Sequence, residues 1–379
     1  MQPISLYIHF PWCIKKCPYC DFNSHHAVKN LIPEDKYISA LLQDLENDIE
    51  QFSINRPIQS IFLGGGTPSL FSPEALERLF CGIRQQIPVL ANAEITLEAN
   101  PGTFESQKFA EFKQTGINRL SIGIQSFNDE FLQKLGRIHS GQQALIASEI
   151  AHQAGFENFN LDLMFGLPGS SISDSGQDIK TAISLEPKHI SFYQLTLEPN
   201  TYFYKHPPRL PNDDQIFKFQ LNGQKYLHKA RYHQYEISAY AKADFQCSHN
   251  LNYWQFGDYL GIGAGAHGKI TTHRPKQITR TIKPKHPEQY LKDPLKGEHR
   301  NVLVTELALE FLMNHLRLKA GFSVADFITK TGLPFSSIEA TLGKLMQQDL
   351  ILKKAQQYQC SEKGWNFLDD ILEQFIPGF

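Results

Sequence analysis

From the N-terminus to about residue 197, short apolar, β-branched runs alternate with longer segments of helical periodicity, and nothing else in the chain restricts its fold so tightly. The runs lie at 6–10, 60–63, 94–98, 119–124, 160–165 and 189–195. Between the first two, residues 33–52 open on a proline and carry Leu41, Leu42, Leu45, Ile49 and Phe52 at spacings of three and four, which is one face of a helix. Residues 73–86 repeat the pattern. Parallel strands need a crossover that a tight hairpin cannot give, so strands alternating with helices predict a parallel α/β sheet. Six such units, with no seventh or eighth, predict a partial (β/α)6 barrel rather than a closed eightfold one.

In barrels of this kind the chemistry collects on the face where the strands end. Here the first run leads into a loop with Cys13, Cys17 and Cys20, and the second ends in Gly64-Gly65-Gly66-Thr67-Pro68. The third ends at Glu98-Ala99-Asn100-Pro101, and the fourth at Gln125-Ser126-Phe127. The fifth carries Asp162 ahead of Gly166-Leu167-Pro168-Gly169, and the sixth reaches Tyr193-Gln194. A glycine triple is often only a turn, but without side chains it also lets a ligand approach the backbone. Glu98 and Asp162 interrupt apolar strands, and a buried carboxylate must find a partner, for which a ligand amine or hydroxyl would serve. Gln125 follows the same logic with an amide.

Three thiolates in eight residues can hold three corners of an iron–sulfur cube and leave the fourth iron open to a small chelating molecule. Thiolates also suit zinc, so the spacing alone does not name the metal. A zinc site would normally add a fourth Cys or His at ligand spacing. His25 and His26 follow closely, in a stretch expected to be a solvated loop. The other cysteines, Cys81, Cys247 and Cys360, are scattered, which is no disulfide framework, and they are expected to be small buried hydrophobes. The reducing compartment this implies agrees with the absence of a signal-peptide pattern in residues 1–12, and the protein is expected to be cytoplasmic. No apolar run approaches the ~18 residues of a membrane span, so any membrane contact would be peripheral. A net charge of -2 without a long Lys/Arg run argues against nucleic acid as a partner.

Three regions follow from composition: the barrel over 1–197, a Tyr-rich, Pro-punctuated mixed α+β extension over 198–300, and a helical region over 301–379. The extension holds His249-Asn250-Leu251-Asn252-Tyr253-Trp254 and a glycine-rich stretch, 257–268. No helix-opening βαβ unit follows that stretch, so it is not read as a nucleotide loop. In the last region, helices are expected at 306–316, 323–330 and 336–347, with a hairpin from 350–353 and 358–361, a winged-helix-like order. A DNA reader would carry basic side chains on its second helix, and residues 336–345 offer one lysine, which favours a lid or protein-docking role.

Cys13, Cys17 and Cys20 with the glycine-rich second strand end resemble the radical S-adenosylmethionine (SAM) superfamily. Further motifs, in order, are similar to the oxygen-independent coproporphyrinogen III oxidase-like group. They are Tyr7-Ile8-His9-Phe10-Pro11, Gly65-Gly66-Thr67-Pro68-Ser69, Glu98 with Pro101, Gly123-Ile124-Gln125-Ser126-Phe127, Leu135-Gly136-Arg137, and Asp162 with Gly166-Leu167-Pro168. The resemblance implies a [4Fe-4S] cluster on the three cysteines and SAM chelated to its open iron, cleaved by one electron to a 5'-deoxyadenosyl radical. It implies contacts to that SAM from Tyr7, Gly65 and Glu98. Tyr19, Gly66, Thr67, Gln125, Arg137 and Asp162 match positions that in the oxidase contact a second SAM.

The group contains oxidases, which decarboxylate propionates to yield protoporphyrinogen IX, and a haem chaperone branch. The oxidase has a further cysteine two residues after the third ligand, where Phe22 stands here, and an N-terminal extension before the cysteine loop. Both departures favour the chaperone, and His249 to Trp254 resembles its HNxxYW motif, making His249 a candidate haem ligand. The resemblance thus implies haem, haem-acceptor proteins and an electron donor as partners. Whether the chain is an enzyme stays open; if so, it is a coproporphyrinogen dehydrogenase-type oxidoreductase.

Overall fold

The computed structural model describes residues 2–27, 32–102, 107–273 and 276–376, the side chain of residue 273 excepted. All six expected strands form: β1 Ile4–Phe10, β2 Ile58–Gly65, β3 Val89–Ala99, β4 Arg119–Gln125, β5 Asn158–Phe165 and β6 His189–Gln194. They pair in parallel in sequence order. Alternate residues divide the sheet into two unlike faces. Ile4, Leu6, Ile8 and Phe10 of β1, with Leu120, Ile122 and Ile124 of β4, belong to the hydrophobic core shared with the helices. The intervening residues are polar and meet on the inner face, where Ser5 lies opposite Ser60, Ser121 opposite Asn160, and Asp162 opposite Ser191.

Buried polar groups need partners, and the inner face supplies them. Ser60 donates to Ser5 (2.8 Å), the Asn160 amide donates to Ser121 (2.9 Å), and His189 Nδ1 bonds the Asn160 carbonyl oxygen (2.7 Å). The barrel interior is therefore a polar channel floor, with its mouth at the strand ends.

The 198–300 stretch adds strands to both edges of this sheet. β7 His233–Gln234 and β8 Ala239–Ala241 extend it antiparallel beyond β6. On the other edge, β9 Tyr259–Ile262 runs parallel to β1, followed by the antiparallel strands β10 His267–His273, β11 Lys276–Ile282 and β12 Glu298–Asn301. Because β9 occupies the outer edge of β1, β6 cannot close on it, and the barrel stays partial. The glycine-rich 257–268 stretch is β9 and its turn into β10, with Gly263 and Gly265 at φ of +101° and +81°.

The helix Glu34–Gln51 covers the outer face with Leu41 and Leu45. It also buries Asp44 and Asp48, both paired to Lys283 (2.5 and 2.8 Å), which follows β11. This ion cluster ties the extension to the first helix. The C-terminal region packs helices Val304–His315, Val324–Thr331 and Ser336–Gln347 against a three-stranded sheet of Phe322–Ser323, Gln357–Cys360 and Ile351–Lys354. Phe311, Phe327, Leu342 and Tyr358 fill its core, which also takes in Phe256 and Ile278 from the extension. Cys247 and Cys360 are buried as expected; Cys81 is exposed, because it lies on the solvent side of the helix Pro73–Gln86.

Candidate cofactor site

The cysteine loop begins where β1 ends and is clamped at its base. Trp12–Cys13 pairs in parallel with His25–His26, so these histidines are part of a short ladder rather than a solvated loop. The backbone amide of His25 donates to Pro11 (2.7 Å) and that of Ala27 to Cys13 (2.8 Å). His9 braces the loop from within, its ring nitrogens bonded to Tyr7 Oη (3.0 Å) and the Asn23 carbonyl (2.8 Å). The glycine turn after β2 locks on from the other side: Gly66 N–H donates to Phe10 and Thr67 N–H to Trp12, both at 2.7 Å. A Cβ on Gly66 would stand 2.6 Å from both the Phe10 and Trp12 carbonyl oxygens, and Gly65, at φ +106°, would drive one into the His9 ring. The turn needs glycine for packing as well as for ligand approach.

The three sulfurs are half-buried and face one cavity of about 320 Å3. A relay of polar groups links two of them. Thr67 Oγ1 donates to Cys13 Sγ (3.4 Å) and accepts from the Asn100 amide (3.0 Å). Asn100 Oδ1 accepts from Arg137 Nη2 (2.7 Å), whose Nη1 lies 3.6 Å from Cys17 Sγ. Arg137 Nη2 also donates to the Gly123 carbonyl (2.7 Å), which fixes the guanidinium plane, and Arg137 Nε is buried without a partner among the described residues. Burial pushes the Cys13 and Cys20 thiols up, and Thr67, Ser24 and Arg137 offset part of this at Cys13.

Among the described residues, no group of three or more His, Cys, Asp or Glu side chains is placed to hold a single metal ion. A mononuclear zinc site needs its sulfurs about 2.3 Å from one point. In a cube, each of three cysteines binds a different iron, and the three thiols around one open cavity fit that demand.

The opposite wall is acidic. Glu98 accepts from Gly65 N–H (3.0 Å) and has no cationic partner among the described residues. Burial, reinforced by the charge of Asp162, pushes its carboxyl up to about 8. Asp162 accepts from Asn160 (2.7 Å) and Ser121 (3.3 Å), and burial pushes it up as well. Gln125 reaches the cavity through an irregularity in the β4–β5 register, at φ +70°, and its carbonyl oxygen accepts from Tyr193 (2.7 Å).

Cys13, Cys17, Cys20, Tyr19, Gly65, Gly66, Thr67, Glu98, Gln125, Arg137 and Asp162 thus share one cavity. Tyr7 lines a second, adjoining cavity of about 540 Å3, continuous with the first through Gly65, Glu98 and Phe22. His249 lines neither of these cavities. It is 1% exposed, bonded through Nδ1 to Ser60 (3.0 Å) and packed against Phe62 and Tyr253 (ring centroids 5.1 and 5.0 Å). Burial and then Arg119 lower its pKa to about 3, and Nε2 has no partner among the described residues. Glu94 caps the helix Ser248–Trp254 that carries it, accepting from the Ser248 and His249 amides (both 3.1 Å). The relay role of Asn100 and the cavity positions of Ser121 and Met164 were not singled out in the sequence. Inward parity along β4 and β5 is the signal that marks the last two.

Residues 7–182 match the Radical SAM superfamily model, and residues 303–367 match the HemN C-terminal domain. The heme chaperone HemW of Haemophilus influenzae is 50% identical over 99% of this chain and 98% of its own length. That of Escherichia coli is 47% identical over 99% of each chain. The solved coproporphyrinogen III oxidase HemN of Escherichia coli, a radical SAM enzyme, superposes with a TM-score of 0.83 at 22% identity, over 100% of this chain and 91% of that one, and shares the fold. The chain belongs to the radical SAM superfamily and, within it, to the heme chaperone HemW family.

Proposed function

We propose that this protein is a cytoplasmic haem chaperone that carries a [4Fe-4S] cluster and SAM and passes haem to acceptor proteins. The observation that carries this reading is Phe22. It stands 58% exposed, two residues after Cys20, and lines both cavities at the position where the related oxidase has another cysteine. An apolar side chain there offers a surface for a flat hydrophobic cargo where the oxidase has a thiol.

Cys13, Cys17 and Cys20 would hold the cluster, with Thr67 and Arg137 donating to two of the sulfurs. When bound, the cluster and SAM supply one-electron chemistry at the sulfonium, with the electron coming from a separate donor protein. Glu98 lacks a cation and faces the cavity, so it would take the SAM amine or ribose hydroxyls, with Tyr7 and Gly65 beside it. Tyr19, Gly66, Thr67, Gln125, Arg137 and Asp162 line the remaining wall, where a second SAM would lie. His249 stands under Tyr253 and would support the haem site from beneath or, after rearrangement, ligate the iron. No helix among the described residues is long and apolar enough to cross a membrane, and any membrane contact would be peripheral.

The test is haem transfer. Protein reconstituted anaerobically and loaded with haemin is mixed with an apo-haemoprotein, and the Soret band is followed. Movement of the band to the acceptor supports the reading; failure to take up or release haem overturns it.

A further inference from the structure

We propose that His189 and Tyr235 form a hydrogen-bonded relay coupling the cofactor cavity at Asp162 to the helix Ser248–Trp254, so that a cationic ligand in the cavity tightens haem binding at that helix. This rests on the reading that the chain holds both SAM and haem, and it adds a link between the two sites. The relay runs through the barrel floor. Asn160 donates to Asp162 (2.7 Å), and its carbonyl oxygen bonds His189 Nδ1 (2.7 Å). His189 Nε2 bonds Tyr235 Oη (2.8 Å), which accepts in turn from the Cys247 amide (3.3 Å). Cys247 is the residue on which the helix begins. Asn160, His189, Tyr235 and Cys247 are all buried, so these groups satisfy one another rather than water.

The chain of bonds has one direction. Asn160 Nδ2 serves Ser121 and Asp162, which leaves its oxygen to His189. Burial and then the Arg119 charge hold the His189 pKa well below its ordinary value, so the ring is neutral and its single N–H is on Nδ1. Nε2 must then accept, and the Tyr235 hydroxyl donates to it. Every donor from Cys247 onward therefore points toward the Asp162 carboxyl. Bonds in series polarise one another, and an ionised acceptor at the end strengthens each of them. Asp162 lines the cavity, with Glu98 facing it from β3 and Arg119 from β4. Burial works against its ionised form, and a sulfonium or ammonium brought into the cavity favours that form. At the far end the helix carries His249 and Tyr253, and its first amides are held by Tyr235 at Cys247 and by Glu94 at Ser248 and His249. A firmer hold on Cys247 leaves less to be ordered when haem binds beside the helix, which raises affinity.

The test is a haemin titration of the full chain, reconstituted anaerobically, with and without saturating SAM. SAM is expected to raise haemin affinity by about fivefold or more, and haemin to raise SAM affinity by the same factor. Tyr235→Phe removes only the hydroxyl; both ligands should still bind, with the factor reduced to about one. His189→Gln breaks the relay at Asn160 and should do the same. Glu94→Gln loosens the same helix outside the relay, and should lower haemin affinity while leaving the factor intact. Equal haemin affinity with and without SAM in the unaltered chain overturns the relay. So does a factor that survives in both Tyr235→Phe and His189→Gln, or one that Glu94→Gln also abolishes. An unaltered chain that fails to bind haemin or SAM overturns the cofactor reading instead.

Discussion

Arg137 holds its Nη1 3.6 Å from Cys17 Sγ while its Nη2 bonds both Asn100 and the Gly123 carbonyl at 2.7 Å. One planar guanidinium therefore joins the cysteine loop, the end of β3 and the end of β4. Lysine is a point charge and cannot satisfy three acceptors set in a fork. Arg137→Lys is expected to lower iron content after anaerobic reconstitution and to cost about 1.5–3 kcal/mol, the range for a lost charged hydrogen bond. Iron per chain and a denaturant midpoint check this; full iron loading with unchanged stability would contradict it.

Glu98 gives a pH dependence of definite sign. Its folded pKa, about 8, lies above the ordinary value of 4.5. Between those values the folded chain binds a proton that the unfolded chain does not. The stability Glu98 contributes is therefore full below the ordinary value and is lost as pH rises, by up to about 1.4 kcal/mol per pH unit. Without ligand, melting points should fall between pH 5 and about 8, and Glu98→Gln should flatten that slope. SAM, bringing an amine to the carboxylate, should release a proton over the same range, measurable by calorimetry in buffers of different ionisation enthalpy.

Lys283 is buried between Asp44 and Asp48. Removing one partner of a buried ion cluster strands the others, at a cost of about 3–5 kcal/mol. Lys283→Met should destabilise the chain by that amount in urea. Replacing all three residues with apolar ones should recover most of the loss, because the cost lies in the stranded carboxylates.

Gly66→Ala places a methyl group 2.6 Å from two carbonyl oxygens of the cysteine loop. The expected cost is about 1–3 kcal/mol, as for other overpacked sites. Iron uptake should fall several-fold while the far-ultraviolet circular dichroism stays native-like. An alanine variant that loads a full cluster would show that the turn has slack.

Much of this architecture is legible in the sequence. Ile4, Leu6, Ile8 and Phe10 alternate with Ser5, Tyr7 and His9, and the period of two along a strand puts the polar set together on one face. Glu98 and Asp162 stand out because they interrupt apolar strands. What stays hidden depends on long-range geometry. β9 is four residues long, Tyr259-Leu260-Gly261-Ile262, and nothing local announces that it pairs with β1, more than two hundred positions away. The Asn100 relay joins four segments, so no spacing rule exposes it. His249 reads as a ligand from its motif, yet its surroundings, Ser60 and Phe62 from β2, become neighbours only once the barrel has formed. His249→Ala is expected to weaken haem binding; a shifted Soret band identifies His249 as the ligand after rearrangement, and an unshifted one identifies support through Tyr253 alone.

The most direct test of the central claim offers both substrates at once. Anaerobically reconstituted protein is given haemin, coproporphyrinogen III, SAM and reductant, and the porphyrin pool is analysed. The account predicts a haem-bound protein with the coproporphyrinogen recovered unchanged; accumulation of protoporphyrinogen IX would contradict it.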